Sequence, residues 1–145
     1  MQAVGNRSTL AGFLVTLYIL KRPSVMKIHR INPSKRWSDA TVFNGIAHFV
    51  EVAESDDQAD ITGQVEQIFE QAEASLATVD SDKSRILSVT IYLTDFSNTE
   101  AMNEAWDAWF PEDCAPSRAC VKAELANPNL LVEMAFVVAA GEKFL

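Results

Sequence analysis

The run Leu131-Val132-Glu133-Met134-Ala135-Phe136-Val137-Val138 is apolar on both of its alternating faces except at one position. Successive side chains of a strand point to opposite faces, so Val132, Met134, Phe136 and Val138 share one face, and Leu131, Glu133, Ala135 and Val137 share the other. Both faces must therefore be covered. Helices can cover one, and a symmetric oligomer is the expected cover for the second. The one charge in this strand, Glu133, has a counterpart in Arg118, which lies in the similarly apolar run Ala115-Pro116-Ser117-Arg118-Ala119-Cys120-Val121. Burying either ion alone costs several kcal/mol even after relaxation, so each needs a partner, a ligand or water. The planar fork of Arg118 fits a carboxylate with two prongs, which a lysine cannot do.

The remaining periodicities alternate in an α+β manner. Lys27 to Ile31, Ala40 to Phe43 and Ile46 to Val52 read as short strands, the last two joined at Asn44-Gly45, a strong hairpin signal. Ile61, Val65, Ile68, Phe69, Ala72, Leu76 and Val79 recur at helical spacing, with Asp60 as N-cap and Asp80-Ser81-Asp82 as the stop. Leu87, Val89, Ile91 and Leu93 alternate with Ser88, Thr90 and Tyr92 in a further strand. A second helix spans Thr99 to Trp109 and buries Met102, Ala105, Trp106 and Trp109. Strands over Ser117 to Ala123 and Leu131 to Ala139, linked by a turn at Asn127-Pro128-Asn129, close the chain. Two helices on one face of a single sheet is the economical packing.

Length and charge narrow the function. A chain of 145 residues supports one core, burying roughly 70% of the surface its unfolded form exposes. The net charge of −8 argues against a nucleic-acid or anionic-membrane partner. Cys114 and Cys120 stand six apart with no CxxC and no nearby histidine, so no zinc site or disulfide framework is expected, and reduced thiols suit a cytoplasmic protein. Residues 1–25 carry Arg7, Lys21 and Arg22 and no acid, whereas residues 26–145 hold nine bases and all 20 acids, a net of −11. The apolar run Leu10 to Leu20 has 11 residues, about half of a bilayer span. Residues 1–25 are accordingly expected to be an extension outside the domain, with Met26 as the start of translation and residues 26–145 as the domain.

Six blocks then occur in order: Arg36-Trp37-Ser38-Asp39, Ser81-Asp82-Lys83-Ser84-Arg85-Ile86-Leu87, Ile91-Tyr92-Leu93-Thr94-Asp95, Ala101-Met102-Asn103-Glu104-Ala105-Trp106-Asp107-Ala108-Trp109, Pro116-Ser117-Arg118-Ala119-Cys120-Val121 and Val132-Glu133. Together they resemble the Rid/YjgF family of reactive-intermediate deaminases, and most closely its YoaB-like branch, over about residues 26 to 140. The resemblance implies a chorismate-mutase-like α+β fold, a single mixed sheet with two helices on one face, and a homotrimer whose sheets form a barrel with clefts between subunits. It implies hydrolysis of 2-imino or enamino acids, such as 2-aminoacrylate, to 2-keto acids and ammonia, with no metal and no cofactor. By matching positions, Arg118 would hold the substrate carboxylate and Glu133 a water, while the Cys120 backbone, Asn103 and an aromatic wall at Trp37 would line the cleft.

The chemistry asks for these residue types independently. A 2-imino acid sets a carboxylate beside an electrophilic C=N carbon and hydrolyses unaided, so an enzyme need only orient substrate and water and stabilise developing charge. Plainer readings stand beside this one. Arg118 and Glu133 can form a structural ion pair between adjacent antiparallel strands, Cys120 can be a small buried hydrophobe, Trp106 and Trp109 core aromatics, Asn103 a local cross-link, and His29 and His48 isolated side chains. The chain also departs from the family pattern. Val50-Glu51-Val52 stands where deaminating members carry a hydroxyl and a glycine, and Ala135 where many carry a second acid. A Glu51 facing the cleft would repel a substrate carboxylate. A non-catalytic trimeric protein that binds a small carboxylate, and an RNA-directed activity, are the competing functions.

Overall fold

The computed structural model describes residues 27–145. The expectations for residues 1–25 and for a start at Met26 lie outside the described residues. Strand β1 (His29–Ile31) is shorter than expected, and β2 (Ala40–Phe43) and β3 (Ile46–Val52) form the anticipated hairpin. Its turn residues Asn44 and Gly45 have φ of 50° and 74°, the left-handed pair that a two-residue hairpin demands. Helix α1 (Ile61–Thr78) starts where Asp60 accepts a hydrogen bond from the Gly63 amide at 2.9 Å. It ends at Asp80, whose φ of 52° turns the chain back so that the Ser81 amide reaches the Leu76 carbonyl at 2.9 Å.

Strand β4 (Ile86–Leu93), helix α2 (Thr99–Trp109), β5 (Ser117–Lys122) and β6 (Val132–Ala139) complete a single six-stranded sheet in the order β1-β2-β3-β6-β4-β5. The sheet is mixed, because β4 and β5 run parallel while every other pair is antiparallel. Parallel neighbours need a crossover, and α2 supplies it. Both helices lie on one face. Ile61, Val65, Ile68, Phe69, Ala72 and Leu76 of α1 and Met102 and Trp106 of α2 share one buried cluster with Val42, Phe49, Val89, Ile91, Met134 and Phe136 of the sheet. Trp109 stacks on Phe69 at 4.2 Å and 1°, so the core reading of this tryptophan holds.

Among the described residues, none forms a layer on the opposite face of the sheet. Phe43, Val50, Leu87 and Val121 are exposed, and Ala135 and Val137 half-exposed. This is the uncovered face foreseen from the two-sided apolar pattern of β6. No helix among the described residues is long and apolar enough to cross a membrane.

Candidate functional site

The register across the last three strands decides how Arg118 and Glu133 are related. Arg118 pairs with Val89 of β4, and Val89 pairs with Phe136 of β6. Val89 and Phe136 face the helices, so Arg118 does too. Glu133 pairs with Tyr92 on one side and Val52 on the other, and alternates with the buried Val132 and Met134, so it lies on the open face. Strand β4 stands between β5 and β6. The plainer reading, a structural ion pair between adjacent strands, is therefore excluded within one chain: the strands are not neighbours, and the two charges occupy opposite faces. Two strand spacings and three residues of rise put their Cα atoms about 14 Å apart. Nor is Arg118 buried, as its apolar surroundings in sequence had suggested, because β5 is an edge strand and the residue is exposed.

Helix α2 fixes the guanidinium of Arg118. Arg118 Nη1 donates to Asn103 Oδ1 at 2.8 Å, and the guanidinium carbon lies 5.0 Å from the centroid of the Trp106 ring. Asn103 and Trp106 are three residues apart and so share a helix face. Trp106 thus does two things, packing in the core with 5% exposure and presenting its ring to the cation. Sequence reasoning assigned it only the first. No carboxylate among the described residues lies within salt-bridge distance of Arg118, which leaves the rest of its donors to solvent.

The outer edge of β5, unpaired among the described residues, adds backbone donors. The Ala123 amide donates to the Leu93 carbonyl of β4 at 2.9 Å. Amides alternate along a strand, so those of Arg118, Cys120 and Lys122 turn outward, away from β4. The Cys120 side chain is half-buried against the core, as a small hydrophobe would be, while its N–H faces the open edge.

Trp37 sits apart, in the loop between β1 and β2, with 65% of its surface exposed. The loop is nonetheless ordered by Ser34, whose hydroxyl accepts from the Arg36 and Trp37 amides at 3.2 and 3.1 Å and donates to the Trp37 carbonyl at 2.8 Å. Since β1 and β5 are the two outer strands of the sheet, one chain does not bring Trp37 to Arg118.

Glu51 does not face an open cleft. It shares its side of β3 with the buried Ala47 and Phe49, and it accepts a hydrogen bond from Ser75 of α1 at 2.6 Å. Burial pushes its pKa up, opposed by that hydrogen bond, with the negative charges of Glu54 and Asp39 adding to the rise. In register, Glu51, Met134, Ile91 and Cys120 follow one another across four strands, so Glu51 stands about 14 Å from the β5 edge of its own chain.

A separate cleft of about 550 Å³ opens between the end of β3 and the loops on either side, lined by Val52, Ala53, Asp56, Asp57, Asn127 and Leu130 among others. The loops beside it are tied together by Gln64, which sequence periodicity passed over. This fully buried side chain donates to the carbonyls of Asp57, Ala59 and Asn129 and accepts from the Leu131 amide. Asp57 accepts from Gln58, Asn127 and Asn129, which lowers its pKa to about 2.

The family described as Endoribonuclease L-PSP matches residues 27–140. The RutC family protein YoaB of Escherichia coli is 41% identical over 114 residues, which cover 79% of this chain and 99% of that protein. The chain belongs to the Rid/YjgF family, in its YoaB-like branch. A RutC family protein of Haemophilus ducreyi is 39% identical over 116 residues, covering 80% of this chain and 99% of the relative. Among solved structures, a YjgF family member of Neisseria meningitidis superposes with a TM-score of 0.76 at 33% identity, over 81% of this chain and 98% of that one. A Salmonella typhimurium protein described as a putative translation initiation inhibitor gives 0.73 at 40% identity, over 79% and 99%. The single mixed sheet with two helices on one face is the fold that this Rid/YjgF chain shares with them.

Proposed function

We propose that the protein hydrolyses 2-imino and enamino acids to 2-keto acids and ammonia, in a site assembled between two copies of the chain. The observation that carries this is Arg118: a guanidinium oriented by Asn103 and Trp106, without a carboxylate partner among the described residues, beside an outward row of edge amides. Such a group selects a small carboxylate. The substrate carboxylate takes the free prongs of Arg118 and the Cys120 N–H. Each charge-assisted bond contributes about 1.5 to 3 kcal/mol to holding it.

Glu133 enters from a second copy. It lies on the uncovered face, flanked by Tyr92 and Val52, whereas Arg118 lies at the edge on the other face. Packing one chain's open face near a neighbour's β5 edge covers the exposed Val50, Leu87 and Val121, and it gives each carboxylate a guanidinium that its own chain withholds. A closed ring of three copies with their sheets forming a barrel is the assembly we expect, and it also gives Trp37 a neighbour's cleft to wall.

In that site Glu133 takes a proton from water as the oxygen attacks the C=N carbon, and the imine nitrogen gains a proton. The carbinolamine then collapses, its C–N bond breaking to leave the keto acid and ammonia. Glu51 is no obstacle to the substrate of its own chain, since its carboxylate is committed to Ser75. The decisive assay generates imino acids in situ with an amino-acid oxidase and follows ammonia and keto acid. Acceleration that Arg118→Ala abolishes supports the reaction, whereas saturable carboxylate binding without ammonia release supports a binding protein instead.

One observation favours a second reading. Four exposed bases, Lys27, Arg30, Lys35 and Arg36, follow one another along β1 and its loop beside the exposed Trp37, a combination suited to single-stranded RNA. The net charge of −8 opposes it. Absence of binding to a labelled oligonucleotide at low salt removes it.

A further inference from the structure

Strand β5 carries a second cation. Arg118, Cys120 and Lys122 alternate on one face, in register with Val89, Ile91 and Leu93 of β4, and both cations are exposed. Lys122 has no carboxylate within salt-bridge distance among the described residues. Asp95, at the end of β4, is occupied in capping the turn that follows, where its carboxylate accepts from the Ser97 amide at 2.8 Å. Within β5 itself there is no acid to neutralise either cation. In a chain of net charge −8, this edge is a local concentration of unpaired positive charge.

The spacing has a chemical meaning. Four residues of strand separate the Cα atoms of Arg118 and Lys122 by about 13 Å. With the two side chains extended side by side from one face of the strand, their charged ends stand about as far apart as their Cα atoms. A charge-assisted hydrogen bond of about 2.8 Å at each end then leaves about 7 Å between, which is the span of a four- or five-carbon dicarboxylate. Since α2 connects two parallel strands it runs antiparallel to them, so Asn103 lies nearer the Lys122 end of β5 than Trp106 does, and Asn103 is the residue that takes the Arg118 hydrogen bond. Between the two cations, the outward N–H of Cys120 points into the same space.

We infer that Lys122 holds a second carboxylate of the substrate, so that 2-imino dicarboxylic acids of four or five carbons are the class this site prefers. The inference rests on the reading of Arg118 as the carboxylate-binding residue. It adds a specificity-determining residue and a substrate class. Monocarboxylic imino acids would use Arg118 alone.

Titration calorimetry on the full chain with two stable keto acids tests this without requiring turnover. The expected result is that 2-oxoglutarate binds about tenfold or more tightly than 2-oxobutyrate, that Lys122→Ala removes the difference and that Lys122→Arg keeps it. Equal affinities in the unsubstituted protein, or a preference that survives Lys122→Ala, overturn the role of Lys122. Failure of both ligands to bind overturns Lys122 and Arg118 together. A Lys122-dependent preference without ammonia release from any imino acid upholds the clamp and sinks only the deaminase reading, so the two failures are distinguishable.

Discussion

Arg118 Nη1 donates to Asn103 Oδ1 at 2.8 Å, tying the edge strand of the sheet to the helix that crosses over to it. This bond is charge-assisted on the donor side, and it fixes one prong of the fork while leaving the others open. Asn103 is in this account a positioning residue. Asn103→Ala should raise KM for imino acids about tenfold while lowering kcat less, because Trp106 still supports the guanidinium and the reacting water is held elsewhere. Steady-state kinetics in the oxidase-coupled assay measure the split. An unchanged KM would mean that the bond does not orient Arg118 for substrate.

The uncovered face of the sheet should be the contact between copies. Val50 is 54% exposed in the single chain, so a charge there can be accommodated by an isolated protomer but not by a packed one. Val50→Asp is expected to give monomers in sedimentation velocity with an unchanged far-UV circular dichroism spectrum, and to lose activity with the oligomer. A persistent oligomer would place the interface elsewhere.

Glu51 should make stability depend on pH in a stated direction. Its folded pKa is raised, chiefly by burial, so the native state binds the proton more tightly than the unfolded one. The native state therefore gains stability from this group as pH falls through the folded pKa, and carries its full penalty above that value. Glu51→Gln retains an acceptor for the Ser75 hydroxyl and removes the charge. It should stabilise the protein at pH 7, by less than about 1 kcal/mol because solvent still screens part of the group, with the gain shrinking at low pH. Denaturant unfolding at a series of pH values reads this out, and a loss of stability at neutral pH would contradict it.

Gln64 should matter to folding more than any other polar side chain of α1. It is fully buried, and its amide serves three carbonyls and one backbone N–H. Gln64→Ala should destabilise by about 2 to 4 kcal/mol through orphaned buried groups and lost packing, seen as a lower urea midpoint. A change under about 0.5 kcal/mol would show that water replaces the side chain without penalty.

The elements were legible wherever the signal is local. Helix α1 with its Asp60 cap, helix α2, the hairpin turn at Asn44-Gly45 and the core role of Trp109 all follow from spacings within a few residues, and the structure has them. Strand partnership is not local. A pairing of Arg118 with Glu133 needs β5 and β6 side by side, as consecutive strands often are, but α2 returns the chain so that β5 joins β4 in parallel at the sheet edge and β6 enters between β3 and β4. That single displacement leaves an exposed arginine on one face and a glutamate on the other. Gln64 was missed for a different reason: a pattern built from apolar letters cannot show a polar residue whose every hydrogen bond is made by loops 5 to 67 positions away. The second role of Trp106 depends on the same strand placement, since only β5 brings a cation to its ring.

A site shared by two chains can be tested by complementation. Arg118→Ala and Glu133→Gln, each inactive alone, are co-refolded in equal amounts and assayed for imino-acid hydrolysis. If each site draws its arginine from one protomer and its glutamate from the next, as proposed, random mixing restores both native residues in about a quarter of the sites, and about that fraction of the unsubstituted activity should return. If the mixture stays as inactive as its components although mixed oligomers have formed, then the two residues do not act across a boundary between copies, and the account is wrong.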